Sequence, residues 1–357
     1  MLSLSKTVRR GAYGLVLAYL GLPLASLLWP DLPHSIIFFH YAKDPRNNYS
    51  DLAKAGVEGR GRNFYLNTAH NITCGLWHIL PASLSQGLPA RLTDEDFEAL
   101  LLREERAVVV YLHGNAGTRL ASHRVELYNH LTQLDFHVIA IDYRGFADSS
   151  GWPSQEGVIE DVRTVLRYLR RLLGVGRPIF IWGHSLGTAI TAMSIEEMLE
   201  EERQGSERVS GVILEAPYDN FVNITKAYPL AMPYSRLLPE WMFEWLFVRP
   251  MRARGIHFNT DLAIRHIPCP ILILMARDDN IVPFQLALNL KRAAEDSKRK
   301  LSWIEFSAEL GLGHKHICRA PNFSAIVRDF THKVISDEQE LGNDESKKKQ
   351  KQKRSAP

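Results

Sequence analysis

From Ala107 onward, short and almost unbroken apolar runs alternate with stretches whose apolar residues recur every three or four positions. The runs read AVVVYLHG, HVIAIDYRG, PIFIWGHS, VSGVILEAP, CPILILMARDD and LSWIEF. Runs this short and this apolar mark strands buried on both faces of a parallel sheet. Between the second and third, Ser154 to Leu173 carries Val158, Val162, Val165, Leu166 and Leu169 at helical spacing. The alternation predicts an α/β fold, a mostly parallel central sheet with helices on both faces.

The flanks read differently. FYLNTAHNITCGLWHILPA, from Phe64 to Ala82, has the alternation and β-branched content of a hairpin. Residues 81–106 are acidic and proline-containing, which predicts a surface excursion with one short helix. The apolar stretch from Gly11 to Trp29 runs about 19 residues without a charge, behind Lys6, Arg9 and Arg10. That is near bilayer length, and the basic flank favours a cytosolic N-terminus and a translocated remainder. A signal anchor is preferred to a cleaved leader because no A-x-A site ends the run. Residues 220–260 are too long for an ordinary connection and rich in Trp, Phe and Met, which suggests a cap. Trp241 and Trp245 lie one helical turn apart there and are candidate substrate contacts. The expected organisation is a cytosolic 1–10, an anchor 11–29 and an extension with leading strands 30–106. A catalytic core follows at 107–219 and 261–336, split by the cap 220–260. The tail 337–357 contains KKKQKQKR, has few apolar residues and is expected to be disordered.

Bulk composition adds little. A net charge of +3, much of it from the tail, excludes a nucleic-acid partner as the organising theme. Cys74, Cys269 and Cys318 fit no metal spacing and no CxxC motif. Four sequons, at Asn48, Asn71, Asn223 and Asn322, are candidate glycosylation sites if the body is lumenal.

The chemistry gathers around Gly183-His184-Ser185-Leu186-Gly187. A G-x-S-x-G between a buried strand and a helix is the context of a nucleophile elbow. A serine needs a histidine base oriented by a carboxylate, in the chain order Ser, acid, His for this arrangement. Asp279, with Asp278 as its rival, ends an apolar strand, and His314, with His316 as its rival, follows a glycine-bracketed loop. Two N–H donors are needed for the anion formed at the attacked carbonyl. Leu186 supplies one and Asn115, in the HGNAG loop after the first core strand, supplies the other. His113 reads as a packing or hydrogen-bonding residue. The HGNAG loop lacks the Lys-Ser/Thr of a phosphate loop, so a phosphate-cradling role is not expected there, and the cysteine spacing points to no metal.

Together YLHGNAGTR, DYRGFADS, IWGHSLGT, LEAPYDN, RDDNIVPF and LGHKH resemble the α/β-hydrolase superfamily. They look most like its membrane-bound lysophosphatidylserine and monoacylglycerol lipases. The resemblance implies a single-span endoplasmic-reticulum protein with a lumenal serine-esterase site acting on single-chain lipids without a cofactor. It implies Ser185 as nucleophile, His314 as base, Asp279 as orienting acid, and Asn115 and Leu186 as oxyanion donors. The alternatives on the same scaffold are an acyl-thioesterase, an acyltransferase and a non-catalytic binding protein.

Overall fold

The computed structural model describes residues 31–85, 87–89, 91–103, 105–201 and 208–354, with positions 11, 13, 14, 21, 25, 28 and 29 ahead of them. The apolar stretch 11–29 therefore falls mostly outside the described residues. Among the described residues no helix is long and apolar enough to cross a membrane.

All six apolar runs form strands: β3 (Val108–Leu112), β4 (His137–Asp142), β5 (Ile179–His184), β6 (Gly211–Glu215), β7 (Ile271–Ala276) and β8 (Leu301–Phe306). Ahead of them β1 (Gly61–Thr68) and β2 (Ile72–Ile79) form the expected hairpin. The eight strands join in the order β1-β2-β4-β3-β5-β6-β7-β8. The hairpin adds antiparallel to β4, and every pairing beyond β4 is parallel.

Successive residues of one strand feed two cores. Val108, Val110 and Leu112 pack on one face with Val158, Val162, Val165 and Leu166 of a helix, Gln155–Leu173. Val109 and Tyr111 pack on the other with Val125 and Tyr128 and with Phe323, Val327 and Phe330. Strands β3 to β7 are buried along their whole length. β8 is not, since it pairs only with β7 and keeps part of its surface in solvent. Burial on both faces was expected there; an edge strand has neighbours on one side only.

Named in chain order, the helices that matter to the site are α1 (Asp31–Ile37), α2 (Asp94–Arg103), α3 (Ser122–Gln133), α4 (Gln155–Leu173) and α5 (Leu186–Glu201). α4 begins where Ser154 caps it, its hydroxyl accepting the Gly157 N–H at 3.0 Å. A cap of this kind contributes about 1 kcal/mol. The excursion 81–106 holds two helices, not one: Ala82–Ser85 and α2. α2 buries Phe97 and Leu101, so this stretch also closes an edge of the core.

Between β6 and β7 the chain inserts α6 (Phe221–Ala227), α7 (Met232–Leu237) and a helical run through Glu240–Phe243 and Arg249–Arg252 with a π turn at Glu244–Val248. The last helix, α8 (Phe323–Arg354), runs on through the charged tail that composition marks as disordered. Lys, Gln, Glu and Arg are good helix formers. Once Phe323, Val327, Phe330 and Val334 have packed, extending the helix no longer carries the cost of nucleation. Lack of apolar residues removes a packing face, not the helix.

One buried ion pair ties hairpin, β4 and α4 together. Asp161 of α4 accepts from Arg144 Nη2 at 2.7 Å and from Thr68 Oγ1 at 2.7 Å, and its side chain is fully buried. Removing one partner of a buried pair strands the other charge, typically at about 3–5 kcal/mol. Asp161→Ala is therefore expected to lower unfolding free energy by about that amount in urea titration. A change under about 1 kcal/mol would show that the pair is solvated in practice.

Candidate active site

Ser185 sits at the turn between β5 and α5 with φ +55°, a left-handed conformation that is strained for a residue with a Cβ. Such strain costs on the order of 1–3 kcal/mol and persists only where the surroundings enforce it. Here they do. A Cβ at Gly183 would lie 2.5 Å from the Gly187 carbonyl oxygen, and one at Gly187 would lie 2.2 Å from that of Leu112. The two glycines of the motif let strand and helix close onto β3, and the serine is left at the apex. Its own N–H donates to Glu215 O at 3.0 Å.

His314 follows Gly311 and Gly313, both at positive φ. Its Nδ1 lies 2.7 Å from Asp279 Oδ2. Because a carboxylate only accepts, Nδ1 carries the proton and Nε2 is left as an acceptor. Asp279 is itself fixed, its Oδ1 accepting the Ile281 and Val282 N–H groups at 2.8 and 2.9 Å. Asp278 serves the same loop differently: its Oδ2 accepts the Gly313 N–H at 2.8 Å. Adjacent residues point apart, so Asp279 alone meets the imidazole. His316 faces Glu126 instead, with Nδ1 4.0 Å from its carboxylate.

The sequence reading missed His184. Its Nε2 donates to the His314 carbonyl oxygen at 2.8 Å, and the two rings lie 4.8 Å apart. Burial holds its pKa well below the ordinary imidazole value, and His314 adds to the effect. A neutral ring beside the serine thus braces the histidine loop. The second letter of GHSLG was the available signal.

Asn115 and Leu186 both wall the cavity above Ser185. Among the described residues neither backbone N–H donates to a carbonyl or side chain. The peptide that carries the Asn115 N–H is held at its other end, where His113 Nδ1 donates to Gly114 O at 2.7 Å. His113 is fully buried, with Nε2 3.2 Å from Asp142 Oδ1. Burial lowers its pKa despite that carboxylate. Asp142 also accepts from Arg119, at 2.9 Å from the backbone N–H and 2.5 Å from Nη1, and Arg119 reaches on to Asp148 at 2.8 Å. Asn115 O in turn accepts the Phe39 N–H at 2.8 Å, where the chain leaving α1 pairs with the loop.

The cavity measures about 980 Å³ with its open mouth included. Apart from Ser185, Asn115 and Thr225 its wall is apolar or aromatic: Leu32, Ile36 and Ile37 from α1, Ile224 and Tyr228 near α6, Phe247 and Met251 from the insertion. Among the described residues no charged side chain lines it. Trp241 and Trp245 do not contact this space; they are 68% and 47% exposed. Phe243 and Phe247, stacked 4.9 Å apart, take the inner side of that helical run. Purely apolar rings pack inward, whereas an indole keeps its N–H where it finds a partner.

Of the sequons, Asn48, Asn71 and Asn322 are exposed. Asn223 is half-buried, and its amide donates to Asp219 at 2.8 Å. Cys74, Cys269 and Cys318 are buried free thiols. Glu126, His130 and Cys318 bring donor atoms within 4.8 Å of one another. Arg319 already neutralises Glu126 there, at 2.7 and 2.9 Å, and burial pushes the Cys318 thiol up to about 12. Those features disfavour a resident cation.

Comparison with known proteins adds four findings. A family profile described as the alpha/beta hydrolase fold matches residues 107–247. The lysophosphatidylserine lipase ABHD12 of Danio rerio is 35% identical over 329 residues, 90% of this chain and 83% of that protein. The Mus musculus counterpart is 35% identical over 321 residues, covering 88% and 78%. Among solved structures, an alpha-beta hydrolase from Vibrio vulnificus has a TM-score of 0.60 at 17% identity, covering 87% of this chain and 93% of its own.

One further group near the serine titrates in a useful range. Glu215 is fully buried beside Trp182, whose Nε1 donates to it at 2.8 Å, and burial raises its pKa from 4.5 to about 7. The fold therefore holds a proton that the unfolded chain releases above about pH 4.5. Its stabilising contribution is complete below that pH and is lost as pH rises through about 7. Melting temperature measured from about pH 5 to about pH 8 should fall more steeply for the wild type than for Glu215→Gln. Parallel curves would place the proton elsewhere.

Proposed function

The chain belongs to the α/β-hydrolase family that includes these lipases, and from that premise we propose that it cleaves the acyl ester of single-chain lipids, lysophospholipids foremost, by a Ser-His-Asp acyl-enzyme mechanism. It is a carboxylic-ester hydrolase. The observation that carries the substrate class is the uncharged apolar cavity opening on Ser185. Such a wall rewards an acyl chain at about 25 cal/mol per Å² removed from water, and it offers a buried phosphate no partner. The acyl chain lies in the cavity and the headgroup stays at its mouth.

In this reading His314 Nε2 takes the Ser185 proton as Oγ attacks the ester carbonyl. Asp279 holds the ring with Nε2 free and stabilises the imidazolium. The oxyanion is received by the Asn115 and Leu186 N–H groups. His314 then protonates the leaving alcohol, and water repeats the sequence to release the fatty acid. The strained φ of Ser185 and the fixed Asp279 support the assignment.

The helices of 220–260 act as a cap, because they supply the cavity wall opposite the sheet. The apolar segment 11–29 anchors the protein in the endoplasmic-reticulum membrane with the body lumenal, and Asn48, Asn71 and Asn322 carry glycans there. The position of α1 supports this arrangement. It follows the apolar segment directly and forms part of the cavity wall, so a lipid leaving the bilayer has a short path. Trp241 and Trp245, on the outer side of the cap, rest in the membrane interface, where exposed indoles are favoured.

The deciding measurement is fatty-acid release by full-length, detergent-solubilised protein from lysophosphatidylserine, other lysophospholipids and monoacylglycerols of graded chain length. Release should favour long chains and vanish in Ser185→Ala. Release unchanged by that substitution overturns the mechanism. Release only from acyl thioesters, or acyl transfer to an added alcohol without hydrolysis, points to the other chemistries of the scaffold. Endoglycosidase sensitivity tests the lumenal placement, since an unshifted band would refute it. Trp241→Ser with Trp245→Ser should slow release from vesicles several-fold and leave hydrolysis of a short soluble ester within about twofold. Equal losses on both would remove the interfacial role.

A further inference from the structure

Arg124 is the third residue of α3, just beyond the HGNAGTR loop, and its side chain is buried, with 3% of the residue exposed. It has no carboxylate partner among the described residues. Its Nη1 donates to Thr118 O at 2.7 Å, and its Nη2 donates to Ala116 O. These carbonyls flank Gly117, whose backbone has φ +76°. A Cβ there would sit 3.6 Å from Nη1. The guanidinium therefore sits in the bend of the loop whose Asn115 lines the cavity. Among the described residues the remaining side-chain nitrogen, Nε, is buried with no partner.

An uncompensated cation in a dry site is destabilising in the resting protein. The other buried guanidiniums near this loop are matched: Arg119 to Asp142 and Asp148, and Arg144 to Asp161. Arg124 differs in that its partners among the described residues are uncharged, two backbone carbonyls and the neighbouring Tyr111 hydroxyl. A fixed positive charge behind an oxyanion loop is complementary to a negative charge that exists only during the reaction. The neighbouring imidazoles register that charge. Burial is the main reason the pKa values of His113 and His184 are low and that of His123 falls to about 3, and Arg124 adds to each.

We propose that Arg124 is the positioning residue of the oxyanion loop. It sets the turn at Ala116–Thr118 by its two-pronged grip, and its unpaired charge favours the anion received at Asn115. The inference rests on the serine-hydrolase reading. It is tested on the Ser185-dependent fraction of turnover, so a failure of that reading appears separately as activity surviving in Ser185→Ala.

The test compares Arg124→Gln and Arg124→Lys in the full-length detergent-solubilised enzyme, with active serines counted by end-point fluorophosphonate labelling. Arg124→Gln should lose about 100-fold in kcat per labelled serine with KM within about threefold, the size of effect seen when one oxyanion donor is lost. Arg124→Lys keeps the charge but not the fork, and should lose about tenfold. Inhibition by an alkyl boronic acid, whose tetrahedral adduct mimics the oxyanion, should weaken in step with kcat. A residue that merely stabilised the fold would lower the number of labelled serines and leave kcat for each unchanged; that result overturns the proposal. So does a rise in KM at constant kcat, which would make Arg124 a shaper of the cavity. Should Arg124→Gln fail to fold, Arg124→Lys decides alone: a loss in kcat and boronate affinity at constant KM upholds the assignment, and wild-type values refute it.

Discussion

Strand β5, the Ser185 turn and helix α5 pack against β3 so closely that no side-chain carbon fits at Gly183 or Gly187, and much of the molecule answers to that closeness. With both positions reduced to hydrogen, the turn is forced into a left-handed conformation at the one residue between them that carries a hydroxyl. The cost of that strain is small beside the burial of β3, β5 and β6, whose side chains are almost wholly removed from water. The sheet is thus the spring that holds the serine. Any change that loosened β3 against α5 would relax the turn first.

Around this point several buried charges and imidazoles fix loops. Arg119 bridges Asp142 and Asp148, Arg144 meets Asp161, Arg124 grips two carbonyls, and His113 and His184 each brace one loop of the candidate site through a carbonyl oxygen. Loops cannot be fixed by ladder hydrogen bonds, so their geometry depends on side chains that reach them from the framework. Buried and mostly neutral imidazoles suit this task, because they donate in a dry site without the cost of a second charge.

The cavity has a different logic. Its wall comes from distant stretches, α1, the insertion and the loops after β3, β5, β6 and β7, and apart from Ser185, Asn115 and Thr225 it is apolar or aromatic. An arrangement of this kind discriminates by chain length and by the absence of charge. Because the chain leaving α1 also hands the Phe39 N–H to Asn115 O, the wall proposed to receive the acyl chain and the loop proposed to receive the oxyanion are mechanically joined.

How much of this was legible depends on whether the information is local. The strands of the core were readable because a strand buried on both faces must be apolar at every position. The hairpin was readable because a sheet pleat alternates. The elbow and the order of serine, acid and histidine could be placed because glycine spacing and chain order are properties of sequence. Where the outcome depended on neighbours, the sequence was silent or misleading. Trp241 and Trp245 looked like inner cap residues, yet the Phe243–Phe247 pair took the inside; helical spacing says which residues share a face, not which face turns inward. Asp278 and Asp279 are chemically alike, and only the packing of the histidine loop put the second against the ring. Nothing local in the sequence marks Arg119 and Arg124 as buried, and the tail read as disordered because it has nothing to pack. The sequence alone therefore determined the fold class and the chemical parts. The tertiary structure decided their orientation, since burying a charge or pointing a side chain inward is settled by contacts between segments far apart in the chain.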